Sequence, residues 1–306
     1  MNCPSTGGST ASIGNERLRL VIITPVRDEE ATLEPFITSV LQQDFQTDRW
    51  LLINDNSSDS SAHIIEEYVS RHSHLELLHY PQQGQRTTGH RVIRIIEHGL
   101  EYLESRNIGW DVLLKLDADI QLDRDDFFIT IMNEFAADPE LGIASGTSYY
   151  QDGDRKNVES TYLWHTYGTN KFYRRECFEK MGGLKPMKGW DGFDDILARH
   201  HGYMTRMYPE LTARHFYLTQ TRRVEGGVFA GLRREVLGYR NRSYPIIMYL
   251  FKSMKLVFRK PYCIGGLYFF VYGLYLNITT EPTLSKREKK IVRKFLLDRF
   301  LGKLRV

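Results

Sequence analysis

The sequence predicts an α/β fold in which a mostly parallel sheet is flanked by helices. Short apolar runs alternate with segments of helical spacing over about the first 120 residues, and polar or acidic residues follow the apolar runs. Such alternation is typical of layered parallel sheets with right-handed crossovers. The carboxyl ends of their strands meet at one edge, where these folds bind ligands.

The predicted elements follow one another in a regular order. The apolar runs that we interpret as strands are 18–26, 50–53, 75–80, 113–116 and 141–149. The segments that we interpret as helices are 29–43, 59–69, 92–103 and 126–135. We expect residues 1–16 to form a disordered tail, residues 17–240 an α/β domain and residues 241–306 a helical extension.

Composition and cysteine usage narrow the class of protein. The chain is 42% hydrophobic and 26% charged, which is ordinary for a globular protein. Its three cysteines, Cys3, Cys177 and Cys263, form neither a zinc spacing nor a disulfide framework, which suits a reducing compartment. No signal peptide is recognisable. These features predict a cytoplasmic protein.

The net charge of +3 hides a strong asymmetry. From Arg222 to Val306 there are 19 Lys and Arg against 5 Asp and Glu, whereas the rest of the chain has 22 against 33. A basic end on an acidic body predicts an anionic partner, either nucleic acid or a membrane surface. Only the basic charge favours nucleic acid, so we predict a membrane surface and no nucleic-acid partner.

Two carboxylates separated by one small residue follow an apolar run. Asp117 and Asp119 stand at the carboxyl end of the predicted strand 113–116. Carboxylates this close repel each other unless a cation lies between them, and their oxygens suit Mg²⁺ or Mn²⁺, which also bind phosphate. We interpret the pair as a metal clamp for a diphosphate. The alternative is that Asp117 is a turn residue and Asp119 a helix cap.

Other polar residues are predicted to share this edge. The first two strand ends supply Thr24, Pro25, Arg27, Glu29 and Asp55. Asp55 is placed to accept a hydrogen bond from the imide of a pyrimidine base, and Arg86 in the third loop to stack on that base or reach a phosphate. The alternatives are a turn residue and a solvated surface charge. The loop after the first strand has no glycine, which argues against a dinucleotide fingerprint, and no Walker loop is present.

A second acidic cluster lies in the segment 189–195. Asp191, Asp194 and Asp195 are spaced i, i+3, i+4 and share one face if a helix begins here. One of them is interpreted as the general base that deprotonates an acceptor hydroxyl, although acidic residues also favour a helix start for structural reasons. Trp190 offers an apolar face to a sugar ring or simply packs.

Taken in order, these motifs resemble glycosyltransferase family 2. The resemblance covers about residues 18–240 and is carried by the segments 24–30, 54–59, 117–119 and 189–195. It implies a GT-A fold and an inverting transfer from a nucleotide-diphosphate sugar, usually UDP- or dTDP-linked, with Mg²⁺ or Mn²⁺.

The resemblance also implies roles for individual residues. Asp55 matches the acid that recognises the base, and Asp117 and Asp119 match the D-x-D pair. Counted back from Gly202, Asp191 best matches the catalytic base, although Trp190 occupies a position that is usually Glu. The alternatives Asp194 and Asp195 stay open.

The segment 220–224 resembles the Gln-x-x-Arg-Trp motif of processive synthases. Val224 replaces the tryptophan and flanking transmembrane helices are missing, so we expect transfer of a single sugar. Arg222 and Arg223 are placed to neutralise the diphosphate leaving group. Some relatives have a histidine metal ligand near here, but we do not assign that role to His215.

The C-terminal segment is aromatic, apolar and basic. Residues 262–278 carry no charge but are rich in Tyr and Gly, which suits an interfacial or re-entrant segment better than a full span. Residues 285–306 predict a cationic amphipathic helix. We expect peripheral attachment to the cytoplasmic face of an anionic membrane; the alternatives are a full span and a helical cap on the sheet.

The sequence therefore predicts transfer of one sugar to a hydroxyl of a saccharide or lipid-linked acceptor, in polysaccharide or cell-envelope glycan assembly. One alternative is a sugar-nucleotide nucleotidyltransferase, which would need a Gly-rich first loop. The other is an inactive carbohydrate- or nucleotide-binding membrane protein, which would be marked by loss of the D-x-D pair or of the base candidates.

Overall fold

The computed structural model describes residues 12–13, 16–81, 90–152, 155–158, 162–216, 227–259, 261–281 and 283–303. The strands are β1 (Ser12–Ile13), β2 (Glu16–Arg17), β3 (Leu20–Val26), β4 (Arg49–Asn54), β5 (Leu75–His79), β6 (Val112–Leu116), β7 (Ile120–Leu122), β8 (Leu141–Asp152), β9 (Arg155–Val158), β10 (Asn170–Arg174) and β11 (Met204–His215). The helices are α1 (Glu30–Leu41), α2 (Ser61–Val69), α3 (His90–Ser105), α4 (Phe127–Ala137), α5 (Arg175–Met181), α6 (Trp190–His200), α7 (Gly227–Asn241), α8 (Ile246–Val257), α9 (Ile264–Thr279) and α10 (Lys286–Phe300).

The main sheet is parallel in its first half and mixed in its second. Its order is β5-β4-β3-β6-β10-β8-β11-β7, with β9 paired to β8. The strands β5, β4, β3 and β6 run parallel, whereas β10 inserts antiparallel between β6 and β8. The predicted α/β fold is confirmed, and the first four strand ends meet at one edge as expected. The mixed half follows from β10, which turns back beside β6.

Alternate side chains of the strands enter two hydrophobic cores. Leu20 and Ile22 of β3 point into one core, which is covered by α1, α2 and α4, while Val21 and Ile23 point into the other, which is covered by α3, α5, α6 and α10. Both faces of the central strands are thus buried, which is why they read as continuous apolar runs.

The C-terminal helices divide into two groups. Helix α10 turns Ile291, Val292, Phe295 and Leu296 into the second core of the sheet domain. Helices α7, α8 and α9 form a separate small core around Leu232, Val236, Tyr249, Phe269 and Leu276. In the part of the chain that the structure describes, no helix has the length and apolarity needed to cross a bilayer.

Candidate active site

The loops after β3 and β4 are tied together by hydrogen bonds. The backbone N–H of Ser58 donates to Asp28 over 2.7 Å, the backbone N–H of Glu29 donates to the Ser61 hydroxyl over 2.9 Å, and that of Ser60 donates to Glu30 over 3.0 Å. These bonds fix the rim of the sheet where the predicted nucleotide residues lie. Thr24 and Glu29 are themselves buried, and Pro25 is half-buried.

Asp55 lies at the end of β4 and is held by two arginines. Its carboxylate accepts hydrogen bonds from Arg91 Nε at 2.7 and 2.8 Å and lies 3.5 Å from Arg27 Nη1. The side chain of Asp55 is only 5% exposed. The arginines neutralise its charge and fix its orientation, since both carboxylate oxygens accept hydrogen bonds from their guanidinium groups.

Asp117 lies at the end of β6 and pairs with the buried Lys115 of the same strand. Lys115 Nζ donates to Asp117 Oδ1 and to the carbonyl oxygen of Gly168, each over 2.5 Å. Burial raises the pKa of the Asp117 carboxyl, as does Asp119, whereas Lys115 and His215 act in the opposite direction. Asp117 therefore interacts electrostatically with both Asp119 and His215.

Asp119 lies beside His215 because β11 pairs with β7. The antiparallel register places His215 opposite Ile120, and the N–H of Phe216 donates to the Asp119 carbonyl over 3.0 Å. His215 Nε2 is 3.2 Å from Asp119 Oδ2, and both side chains are about one-tenth exposed or less. The sequence prediction gave His215 no role as a ligand, whereas the structure brings it next to the second carboxylate of the D-x-D pair.

The donor set at this edge fits a divalent cation that is shared with phosphates. Carboxylate oxygen and imidazole nitrogen suit Mn²⁺, and nucleotide sites often hold Mg²⁺ by one or two carboxylates, with substrate phosphates completing the coordination. Within the described residues, no group of three or more His, Cys, Asp or Glu side chains is arranged as a metal centre by itself. Asp117, Asp119 and His215 are the residues that would hold such a cation.

The three aspartates of the second cluster separate into one accessible and two buried side chains. Asp191 is half-buried at the start of α6, whereas Asp194 and Asp195 are 2% and 0% exposed. Lys171 of β10, itself fully buried, donates to the Asp191 carbonyl at 2.6 Å and to Asp194 Oδ1 at 2.7 Å, and lies 3.2 Å from Asp195 Oδ1. Lys171 therefore anchors the first turn of α6 to the sheet.

Further hydrogen bonds occupy the two buried carboxylates. The Tyr173 hydroxyl donates to Asp194 Oδ2 over 2.6 Å. Asp195 accepts from the Thr166 hydroxyl at 2.6 Å and lies 2.8 Å from Nδ1 of His165. Both carboxylates thus belong to a buried network behind Asp191, and their oxygens are engaged by protein groups.

The buried network shifts the pKa values of its members. Burial raises the pKa of the Asp194 carboxyl to about 6, against the attraction of Lys171. Burial also opposes ionisation of Asp195, but Lys171 and His165 outweigh it and lower its pKa. Burial opposes the charge of Lys171 as well, yet Asp194, Asp195 and Asp191 raise its pKa. Lys171 is therefore a fixed cation among these carboxylates.

Asp191 borders the D-x-D edge across Gly168. A Cβ on Gly168 would lie 3.3 Å from Asp191 Cβ and 3.5 Å from Asp191 Oδ2. The carbonyl of the same glycine accepts the hydrogen bond from Lys115, and the N–H of Asp117 donates to the Thr169 carbonyl over 2.8 Å. One short segment thus connects the base candidate to the paired carboxylates.

Two cations border Asp191 on its other side, Arg242 just after α7 and Lys188 just before α6. Arg242 donates to the Gly238 carbonyl over 3.2 Å and stacks against the ring of Tyr244 at 4.8 Å. Burial opposes the charge of Arg242, but Tyr244 and Asp191 help to raise its pKa. Burial lowers the pKa of Lys188 to about 8, helped by repulsion from Arg234.

Trp190 lies inside the domain rather than on its surface. The ring is 8% exposed and lies 5.6 Å from Lys115 Nζ and 5.7 Å from Lys171 Nζ. These two lysines face each other across the β6–β10 pair. The contacts correspond to the packing alternative rather than to an open face for a sugar. Arg86, Arg222 and Arg223 lie outside the described residues.

Several residues of this site were missed by the sequence analysis. The sequence does carry a signal for His215, which lies 13 positions after Gly202 and a few residues before the motif 220–224. Lys115 interrupts an apolar run, and a charge in a buried strand requires a partner, whereas Lys171 follows polar residues and gives no such signal. Arg91 and Arg242 carry no such local signal, since Asp55 and Asp191, the carboxylates that they approach, are distant from them in the sequence.

Comparison with known proteins identifies the family. The profile of "Glycosyl transferase family 2" matches residues 21–239. An uncharacterized glycosyltransferase of Bacillus subtilis (strain 168), EpsJ, is 23% identical over 187 residues, which are 52% of this chain and 48% of that protein. The match thus spans about half the length of this curated relative.

Solved structures share the fold over nearly the whole chain. The mannosyltransferase PcManGT from Pyrobaculum calidifontis, in complex with GDP-Man and Mn²⁺, has a TM-score of 0.55 at 14% identity, covering 96% of this chain and 90% of that one. S. aureus TarS in complex with UDP-GlcNAc has a TM-score of 0.52 at 10% identity, covering 94% and 82%. The fold is that of GT-A glycosyltransferases. Because the family profile covers most of the chain, this protein belongs to glycosyl transferase family 2.

Proposed function

We propose that the protein transfers a single sugar, with inversion, from a nucleotide-diphosphate sugar to a hydroxyl of a saccharide or lipid-linked acceptor. The observation that carries the proposal is the approach of Asp119 and His215 to 3.2 Å at the strand edge that also holds Asp55 and Asp117. The relatives crystallised with GDP-Man and UDP-GlcNAc support a nucleotide-sugar donor. We favour a UDP- or dTDP-linked sugar, because Asp55 suits the imide of a pyrimidine base.

The donor end of the site binds and neutralises a diphosphate. Asp119 and His215, with Asp117, would hold Mg²⁺ or Mn²⁺, which supplies charge stabilisation to the departing nucleoside diphosphate. Pro25 and Arg27 would line the nucleoside, and the buried Thr24 and Glu29 would support them from inside the domain. Arg86, Arg222 and Arg223 keep their proposed roles at the base and the leaving group.

Asp191 is proposed as the general base. It is the accessible one of the three aspartates, and its neighbours Asp194 and Asp195 are engaged inside the domain. Its carboxylate would accept the proton of the acceptor hydroxyl while that oxygen attacks the sugar C1. Attack from the face opposite the diphosphate inverts the anomeric centre.

The proposal is tested with purified protein, Mn²⁺ and a panel of UDP-, dTDP- and GDP-linked sugars. We expect one donor class to raise the melting temperature only in the presence of the metal, because a bound ligand stabilises the native state. Asp119→Ala should abolish that shift, and Asp191→Asn should retain it. Absence of a metal-dependent shift with every donor would contradict the donor site.

Turnover then tests the base separately. With the donor identified, Asp191→Asn and Asp119→Ala should each lower the transfer rate about a hundredfold or more. Asp298, a half-buried acidic residue of α10, provides a matched control as Asp298→Asn. The anomeric configuration of the product, read by NMR, decides between inversion and retention. Wild-type turnover in Asp191→Asn would exclude it as the base.

We also propose that the enzyme works at the cytoplasmic face of an anionic membrane, in polysaccharide or cell-envelope glycan assembly. Support comes from the basic charge of residues 222–306 and the exposed apolar side chains of the C-terminal helices. A lipid-linked acceptor would make such attachment useful. Recovery of the protein in the membrane fraction of its native cells, released by high salt or detergent, is the expected result.

A further inference from the structure

The hairpin of α8 and α9 carries a continuous apolar face that the domain does not cover. On α9 the exposed side chains are Ile264, Leu267, Val271, Tyr275 and Ile278, which recur every three or four residues. On α8 they are Ile246, Ile247, Leu250, Phe251 and Met254, followed by Phe258. Single exposed apolar residues are ordinary, but two aligned stripes on neighbouring helices mark an interaction surface.

The hairpin is rigidly built on its inner side. A Cβ on Gly266 would lie 2.5 Å from the Ser253 carbonyl oxygen, and a Cβ on Gly273 would overlap the ring of Tyr249. These close approaches hold the two helices antiparallel, with Tyr249 and Phe269 inside. The inner residues thus pack against each other, and the outer stripes remain exposed on a packed element rather than on a frayed one.

We propose that this α8–α9 face lies in the interfacial layer of an anionic lipid bilayer. Residues 246–279 contain no acidic residue and four cations, Lys252, Lys255, Arg259 and Lys260. Lys255 and Arg259 are exposed beside the apolar stripe. Long cationic side chains can extend from an apolar surface to lipid phosphates, and tyrosines such as Tyr262 and Tyr275 favour the headgroup level.

The charge pattern favours lipid over a second copy of the chain. A protein–protein interface is depleted in lysine at its centre, whereas Lys255 lies among Phe251, Met254 and Phe258. A second copy would also bring one basic surface against another. Anionic lipid offers the opposite charge, and its acyl region accepts apolar side chains of any shape.

This surface rests on the membrane attachment proposed above and includes the segment 262–278 that the sequence predicts to be interfacial, but it does not include the helix expected over residues 285–306. The cationic amphipathic helix expected over residues 285–306 turns Ile291, Phe295 and Leu296 into the sheet domain, so its apolar face is already covered. The α8–α9 face begins at Ile246, four residues after Arg242, which lies against the turn of Asp191. Attachment through this face would therefore hold the acceptor side close to the bilayer.

Vesicle flotation tests the proposal without any sugar donor, so its outcome is independent of the proposed reaction. We expect the protein to float with phosphatidylcholine vesicles containing about one-third phosphatidylglycerol, and much less with phosphatidylcholine alone or at high salt. Leu250→Asp and Leu267→Asp should each lower the bound fraction about tenfold. Val158→Asp, at an exposed valine of β9, is the matched control and should float like the wild type.

A probe at Cys263 tests the native face directly. This cysteine is exposed at the start of α9, whereas Cys177 is buried with its pKa raised by burial to about 12, so a Cys3→Ser chain can be labelled selectively. An environment-sensitive dye on Cys263 should shift to the blue with anionic vesicles. Absence of flotation, no dye response, or flotation of the two aspartate variants equal to that of the wild type would each overturn the proposal. A dimer in solution that Leu267→Asp dissociates, without vesicle binding, would assign the face to a second copy.

Discussion

Lys171 Nζ and Asp194 Oδ1 form a fully buried ion pair at 2.7 Å, directly behind the turn that carries Asp191. Because Lys171 also contacts Asp195 and the Asp191 carbonyl, one side chain determines where α6 begins relative to β10. The position of the proposed base therefore depends on a residue that has no contact with solvent.

Replacing Lys171 by Met should strongly destabilise the protein. Two buried carboxylates would lose their cation, and an uncompensated buried charge typically costs about 3–5 kcal/mol of unfolding free energy. Arg94→Met, which breaks the exposed Arg94–Glu97 pair, is the control and should change stability by less than about 0.5 kcal/mol. Urea unfolding measures both. The double variant Lys171→Met/Asp194→Asn should recover part of the lost unfolding free energy. If Lys171→Met lowered the unfolding free energy no more than Arg94→Met does, the buried Lys171–Asp194 pair would not have the stabilising role assigned to it.

Replacing His215 by Ala should raise the concentration of Mn²⁺ needed for UDP binding by about tenfold or more. Loss of an outer-shell partner already weakens metal binding by that factor, and loss of a direct ligand should weaken it at least as much. Titration calorimetry of UDP at several Mn²⁺ concentrations measures the shift. His63→Ala, at an exposed histidine of α2, is the control. An unchanged metal requirement in His215→Ala would show that the imidazole only supports Asp119 as a hydrogen-bond partner.

Only part of this site is specified by local sequence. The strand ends that carry Asp55 and Asp117 could be predicted because local apolar runs and their polar ends specify a parallel edge. The approach of His215 to Asp119 could not, because it depends on the pairing of β11 with β7 across about 90 residues of chain.

The second acidic cluster shows the same limit. Spacing predicted that Asp191, Asp194 and Asp195 share a helical start, and α6 begins at Trp190 as expected. Spacing did not distinguish the accessible carboxylate from the buried ones, because burial is decided by β10 and its Lys171 and Tyr173. Local patterns specify elements, whereas long-range packing decides which side chain remains available.

The half-buried Lys188 should make the free energy of unfolding increase as the pH rises into the alkaline range. Burial, helped by Arg234, lowers its folded-state pKa to about 8, whereas a lysine in the unfolded chain titrates near about 10.4. Between these values the unfolded chain binds the extra proton, so the free energy of unfolding increases with pH. We expect a gain of about 1 kcal/mol, since the half-buried site is partly screened by solvent.

The Lys188→Met variant isolates this effect. It removes the titrating amine. The unfolding free energy of the wild type should therefore increase relative to that of the variant as the pH rises from about 8 to about 10. Denaturant unfolding at several pH values gives that difference. A difference that is independent of pH would show that Lys188 keeps its proton in the native state.

Gly192→Ala should lower activity without lowering stability. A Cβ at this position would lie 2.6 Å from Arg242 Nη1, the mobile end of a long side chain, so the guanidinium is expected to move away from the turn that carries Asp191. Alanine favours a helix interior over glycine by about 1 kcal/mol, which offsets the cost of that displacement.

If Arg242 helps to bind or orient the acceptor, the transfer rate of Gly192→Ala should fall toward that of Arg242→Ala. The double variant should then be no slower than Arg242→Ala alone. Thermal unfolding and turnover, measured on all three variants, separate the two effects, and full activity in Arg242→Ala would remove this residue from the acceptor side.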